Sequence, residues 1–125
     1  KLTDKLNIPA ISVYDYNQDN LIISLRYFDQ NNKPIKIQKF GYWAKEFIYE
    51  KDNRIKMVIN RDVDRGIIEV PIDSIDFKVN NYNAPVLVYN YEKDSVIVKA
   101  FDSKFNLLKS FSGTAPCIPF IDCFE

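Results

Sequence analysis

The 125-residue chain contains no histidine, so any chemistry must come from carboxylates, hydroxyls, amines and two thiols. Histidine is the commonest general base and nucleophile activator at neutral pH. A serine or cysteine nucleophile would then need a lysine or α-amine as its base, and no Gly-x-Ser-x-Gly or Ser-x-x-Lys motif occurs. Paired carboxylates could still cleave a glycosidic bond, but 17 acidic residues spread mostly over turns do not single out two. The sequence predicts a protein that is not an enzyme and carries no cofactor.

Two stretches place oxygen-bearing side chains at alternate positions, as calcium loops do. One is Asn60–Gly66, and the other is formed by Asp15, Asn17 and Asp19. In the first, Arg61 and Arg65 would oppose a cation, and a proline follows where the loop's bidentate glutamate would stand. We predict that both are turns whose Asp and Asn side chains bind their own backbone, with no metal site, and calcium binding is the alternative.

Composition narrows the classes of partner. Seventeen basic residues balance 17 acidic ones, so the chain has no overall positive field to hold a phosphate backbone, and we expect no nucleic-acid partner. The three glycines are isolated, which excludes a glycine-rich phosphate loop. No apolar run approaches the roughly 20 residues of a membrane-spanning helix. We therefore expect no membrane span in this segment.

Both cysteines, Cys117 and Cys123, lie in the last nine residues. We predict a disulfide between them, with free thiols as the alternative, because a short loop stiffened by Pro119 separates them. A disulfide implies an oxidising compartment, so we expect a periplasmic, cell-surface or secreted protein. Since the chain begins at Lys1 and not at methionine, we also expect it to be a processed product.

Period-two alternation of apolar and polar residues runs through most of the chain and predicts an all-β protein. Turn-forming Asn and Asp clusters separate the strands and, with only three glycines present, are expected to supply most positive-φ positions. The segment 42–50 is ambiguous, because its aromatic residues also fit a short helix, but we favour a strand. The predicted strands are 10–16, 21–28, 34–40, 42–50, 54–60, 66–72, 74–80, 85–92, 95–102 and 105–111.

This number of short strands favours a two-layer antiparallel β-sandwich of immunoglobulin-like or related Greek-key topology. The predicted organisation is an N-terminal lead-in (1–9), the sandwich domain (10–112) and a cysteine-containing tail (113–125) that packs on the domain. The segments 24–37 and 97–110 resemble each other weakly, sharing Phe-Asp before a turn. We interpret this as two hairpins with the same turn requirement, and not as a repeat architecture.

Because the sequence disfavours catalysis, it predicts that the protein binds a partner through its surface. Two regions are candidates for this binding surface. The loop residues Asn81, Tyr82 and Asn83 combine amides with an aromatic ring, which suits a protein or a carbohydrate. The tail is too apolar for a disordered terminus and could bind a partner through Ile118, Phe120 and Phe124. We predict a non-enzymatic protein-interaction module of an exported or cell-envelope protein, belonging to a surface or secretion assembly. A carbohydrate-binding module is the alternative, and the sequence does not fix the oligomeric state.

Overall fold

The computed structural model describes residues 10–37, 41–70 and 84–114, which form one seven-stranded antiparallel sheet. Each strand pairs with the next along the chain, so the order across the sheet is β1-β2-β3-β4-β5-β6-β7. This confirms the all-β prediction, and the ambiguous segment is the strand β3. The strands are β1 (Ile11–Tyr16), β2 (Ile22–Phe28), β3 (Ala44–Tyr49), β4 (Ile55–Arg61), β5 (Val86–Tyr91), β6 (Ser95–Phe101) and β7 (Leu107–Thr114).

Two predicted strands, 34–40 and 66–72, are wrong over the part that the structure describes. Residues 34–37 and 66–70 form only isolated bridges, such as Phe28 with Pro34 and Arg61 with Ile67. The reason is competition for one edge: β3 pairs with β2 over Ser24–Arg26, so the returning segment reaches only the last residues of β2. Residues 38–40, 71–72 and the predicted strand 74–80 lie outside the described residues.

The described strands form a single sheet joined in sequence order, and among them neither a second layer nor a Greek-key crossover is seen. The sandwich topology therefore stays a prediction. Within this part of the chain, no helix is long and apolar enough to cross a membrane.

The sheet is built from three copies of one unit, a β-hairpin followed by a short returning segment that we call the hook. Unit 1 spans 11–37 and unit 2 spans 44–70. Each position of unit 1 has its structural equivalent 33 residues later in unit 2, beginning with Ile11 and Ala44. The recurrence includes the register shift near the hairpin end, which lies between Asp15 and Tyr16 in unit 1 and between Ile48 and Tyr49 in unit 2. The interpretation of the sequence as non-repetitive therefore needs correction.

Unit 3 (86–114) has the same plan with a shorter hairpin loop and a longer hook. Its hook is the full strand β7, which pairs along all of β6. Among the described residues, no other strand competes with β7 for that edge of β6, so β7 is long where the first two hooks are short. The weak resemblance of 24–37 to 97–110 is the correspondence of units 1 and 3.

One turn type recurs five times among the described residues, at 17–21, 29–33, 50–54, 62–66 and 102–106. In each, the first N–H donates to the fifth carbonyl at 2.8 to 3.0 Å, and the fourth N–H donates back to the first carbonyl at 2.8 to 3.1 Å. In three of them the first side chain also accepts two backbone N–H bonds, as Asp29 Oδ1 does from Asn31 and Lys33. The fourth residue has positive φ each time, and these residues are Asn20, Asn32, Asn53, Arg65 and Phe105.

The two faces of the sheet differ in burial. Side chains paired in register share a face, and the face carrying Phe47, Val58 and Leu87 holds the apolar core. Val58 and Leu87 have no exposed surface at all. Fully burying a side chain of this size stabilises the fold by roughly 1.5–3 kcal/mol. Trp43 is buried as well, with its ring edge-on to Phe28.

Candidate interaction edge and polar groove

The site residues predicted from sequence lie outside the described residues. This holds for Asn81, Tyr82 and Asn83, for the tail residues Ile118, Phe120 and Phe124, and for the predicted disulfide of Cys117 and Cys123. These predictions stay predictions, and the described residues offer two other candidates: the free edge of β1 and a polar groove.

The outer edge of β1 (the β1 edge, Ile11–Tyr16) is the first candidate, because no described strand pairs with it. Its tyrosines are more exposed than their counterparts in the later units. Tyr14 is 46% exposed, whereas Phe47 and Tyr89 at the same position are each 4% exposed. Tyr16 is 55% exposed, whereas Tyr49 is only partly exposed. The β1 edge thus presents side chains of an interior strand with no neighbouring strand.

Interior junctions show what these tyrosines do when a neighbour is present. The Tyr49 hydroxyl donates to the backbone carbonyl of Ile22 at 2.6 Å, and the Tyr91 hydroxyl donates to that of Ile55 at 2.6 Å. Ile22 and Ile55 are equivalent, each beginning the second strand of the preceding unit. Tyr16 is the corresponding residue of unit 1, and we call these hydroxyl–carbonyl bonds the tyrosine clasps.

The clasps lie in a partly dry environment. Burial raises the pKa of Tyr49, and burial raises that of Tyr91 to about 12 despite the opposing charge of Arg54. The Arg54 guanidinium lies 4.2 Å from the centre of the Tyr91 ring and bonds Asp52 at 2.6 Å. Both hydroxyls therefore stay protonated donors throughout the physiological range.

The second candidate is an open groove of about 450 Å³ on the opposite face from the core, crossing β1 to β4. Two registered rows form its floor, one with Asp15, Ser24 and Glu46 and the other with Arg26, Ala44 and Arg61. Trp43 and Arg65 also line it. Three guanidinium groups and two carboxylates therefore meet in one depression.

Hydrogen bonds tie the groove's charges to one another. Asp15 Oδ2 accepts from the Ser24 hydroxyl at 2.6 Å and from Arg26 Nη2 at 2.9 Å. The Ser24 hydrogen bond, assisted by the charge of Arg26 and opposed by slight burial, lowers the pKa of Asp15. Arg61 Nε bonds Glu46 at 2.9 Å. Because Asp15 is held as a carboxylate, it is poorly suited to act as a general acid or base near neutral pH.

Two N–H donors by the groove are buried without a hydrogen-bond partner, namely Nε1 of Trp43 and Nε of Arg26. Buried donors normally have partners, so these two could satisfy an acceptor-bearing ligand. The groove offers both donors and acceptors, as a polyhydroxyl ligand requires. The groove is therefore suited to a polar ligand that is held by non-covalent interactions.

Lys45 is the one strongly perturbed amine among the described residues. Burial lowers its pKa to about 7, and the ammonium lies 4.6 Å from the centre of the Tyr42 ring. The side chain is on the core face and only 3% exposed. Access of a substrate to this amine is therefore closed.

The stretches that resembled calcium loops contain turns of the recurring type at 17–21 and 62–66, as predicted, but Asp15 lies on β1 and accepts from Ser24 and Arg26 instead of from its own backbone. Asp62 and Asp64 accept from the N–H groups of Val63 and Gly66, and Asn17 accepts from those of Asp19 and Leu21. Within the described part of the chain, no three His, Cys, Asp or Glu residues are grouped to hold a metal ion.

Comparisons with protein-family models, curated proteins and solved structures found no match.

The sequence does contain a signal for the clasps. Tyr49–Asp52 and Tyr91–Asp94 are the same tetrapeptide, Tyr-Glu-Lys-Asp, and Tyr16 precedes an Asp at the same distance. When the three copies are aligned on this tyrosine, the repeated unit is visible in the sequence itself.

Proposed function

We propose that the chain is a non-enzymatic protein-interaction module that recognises its partner by adding a strand to the β1 edge. The observation that carries this proposal is that Tyr14 and Tyr16 are exposed at positions that are buried or partly buried in the other two units. An unpaired strand also offers a row of backbone donors and acceptors, which makes it a template for another chain. The other free edge, β7, bears Lys109 and three hydroxyl residues, a composition typical of edges that avoid pairing.

We further propose that this module belongs to an exported or cell-envelope protein and works in a surface or secretion assembly. The support is the cysteine pair of the tail, Cys117 and Cys123, since disulfides persist in oxidising compartments. We also propose the finer fold, a two-layer sandwich of immunoglobulin-like type, and the complete burial of Val58 and Leu87 supports its second layer. A side chain on an uncovered sheet face would keep part of its surface in water.

Strand addition is tested with an eight-residue alternating Thr-Val peptide and amide hydrogen exchange on the whole chain. We expect the peptide to protect amides of β1 and to leave those of β7 unchanged. Tyr14→Lys should abolish protection, because an inward-pointing charge on an edge strand disfavours pairing. The matched control Leu107→Lys places the same charge on β7, where Leu107 is exposed, and should leave protection intact. Unchanged exchange in β1, or equal protection of β7, would refute the proposal.

Carbohydrate binding is the second candidate, and the polar groove favours it. The unpaired donors of Trp43 and Arg26 lie beside carboxylate acceptors, an arrangement that suits sugar hydroxyls. A glycan array should show specific binding that Arg26→Gln weakens. Binding lost on Tyr82→Ala but kept in Arg26→Gln would assign the sugar to the loop predicted from sequence, and an array without any hit would exclude both sites.

A further inference from the structure

We infer that the strand taken up by the β1 edge is the second strand of a hairpin-and-hook unit other than units 1 to 3, and that it is clasped by Tyr16. This inference rests on the proposed strand addition and specifies the partner. It predicts an antiparallel segment with the pattern of β2 and β4, whose first residue accepts a hydrogen bond from the Tyr16 hydroxyl.

The interior junctions define this geometry twice. At the first, β2 pairs with β3 through Ser24–Glu46, Leu25–Lys45 and Arg26–Ala44. At the second, β4 pairs with β5 through Met57–Val88, Val58–Leu87 and Ile59–Val86, which are the equivalent positions.

Beyond the ladder, each junction repeats two further bonds. The Tyr27 N–H donates to the carbonyl of Trp43, and the Asn60 N–H donates to that of Pro85. The tyrosine clasp then joins the other end of the junction. A surface used in the same way at both interior positions is specific to one kind of neighbour.

Transferred to unit 1, the same contacts specify the docking register. The positions equivalent to Ala44–Glu46 are Ile11–Val13, so the incoming strand should pair opposite these three residues. Ala10 stands where Trp43 and Pro85 stand, and its carbonyl would accept from the end of the incoming strand. The partner needs an apolar residue at the clasp, as with Ile22 and Ile55, and another three positions later, as with Leu25 and Val58.

A second copy of this chain does not fit, because all three of its own second strands are already paired on that side. β3 and the first hook share the edge of β2, and β5 and the second hook share the edge of β4. β7 covers the whole of β6. Among the described strands, β7 covers β6 and β1 has no outer neighbour, so none of the three described units of a second copy can supply the strand.

The test uses the full chain and two peptides, one copying Arg54–Arg61 and the other the alternating Thr-Val peptide. We expect the β4 copy to bind more tightly, with amide chemical-shift changes confined to 10–16. Tyr16→Phe should weaken its binding roughly five- to tenfold, as loss of one net hydrogen bond implies, and should leave the Thr-Val peptide unaffected. A peptide copying β4 with its order scrambled should bind no better than the Thr-Val peptide.

The alternative outcomes separate the two proposals. Equal binding of both peptides with no effect of Tyr16→Phe would overturn the clasp while leaving strand addition intact. Absence of binding by either peptide would overturn both. A concentration-dependent dimer in sedimentation, abolished by Tyr14→Lys, would identify a second copy as the occupant and overturn the inference of a further unit.

Discussion

Replacing the clasp tyrosines by phenylalanine gives a direct measure of the unit junctions. Tyr49→Phe and Tyr91→Phe each remove one 2.6 Å hydrogen bond to a backbone carbonyl while keeping the aromatic ring. The net worth of such a bond is about 0.5–1.5 kcal/mol, and a carbonyl left partly buried without a partner adds to the loss. We expect each variant to lower the free energy of unfolding by about 1–2 kcal/mol. Tyr16→Phe is the matched control and should change it by less than about 0.5 kcal/mol, because Tyr16 is 55% exposed.

Urea unfolding followed by tryptophan fluorescence measures these differences, since Trp43 is the only tryptophan and is buried. The two interior variants should shift the midpoint to lower urea at an unchanged slope, which marks a change of stability and not of compactness. If Tyr16→Phe destabilised the chain as much as Tyr49→Phe, Tyr16 would already have a partner within the chain. The inference of an open β1 edge would then be refuted.

Three further predictions concern charge and turn geometry. Burial lowers the pKa of Lys45 to about 7 from its usual 10.5, so the unfolded state binds the proton more readily and wild-type stability should fall as pH drops from 10 to 7. The free energy of unfolding should change by about 1 kcal/mol per pH unit. Lys45→Met should remove this pH dependence from the urea midpoints measured across this range. If the midpoints of the wild type and of Lys45→Met changed with pH in parallel, the assignment of a buried amine at Lys45 would be contradicted. Arg65 has positive φ where unit 1 has Asn32, so Arg65→Asn should raise the unfolding free energy by about 0.5–1 kcal/mol in the same assay, whereas a loss would contradict the turn assignment. Ser24→Ala should move the lowered pKa of Asp15 back up towards 3.8 in a carboxyl-carbon NMR titration, because the serine hydroxyl is the largest cause of the shift; an unmoved pKa would assign the shift to Arg26.

The hairpins were predictable from the sequence because they are local. β1, β2 and β6 lie within one residue of their predicted bounds, since alternation of side chains and Asn- or Asp-rich turns are properties of neighbouring residues. The hooks were not predictable in this way. Their sequences alternate like strands, but β3 and β5 already occupy most of the edge on which they would pair. Competition for an edge is a non-local property that alternation does not report.

The turns and the candidate site show the same division. Three of the five non-glycine residues with positive φ among those described are asparagines, as expected from the scarcity of glycine, but Arg65 and Phe105 take this conformation because the turn geometry demands it. The β1 edge was not predicted from the sequence, because an exposed tyrosine has no distinctive local pattern. Its meaning emerges only from comparison with Tyr49 and Tyr91, whose spacing in the chain is uneven.

The order of the strands also bears on how quickly the chain can acquire its structure. Each described strand pairs with a neighbour in sequence, so forming the sheet requires no described strand to pair across an intervening one. Folding rates rise as contacts become more local, and a meander should fold faster than a crossed β topology of similar length. Because each unit contains its own hairpin, nucleation can begin in any of the three and spread to its neighbours, as it does in repeat proteins.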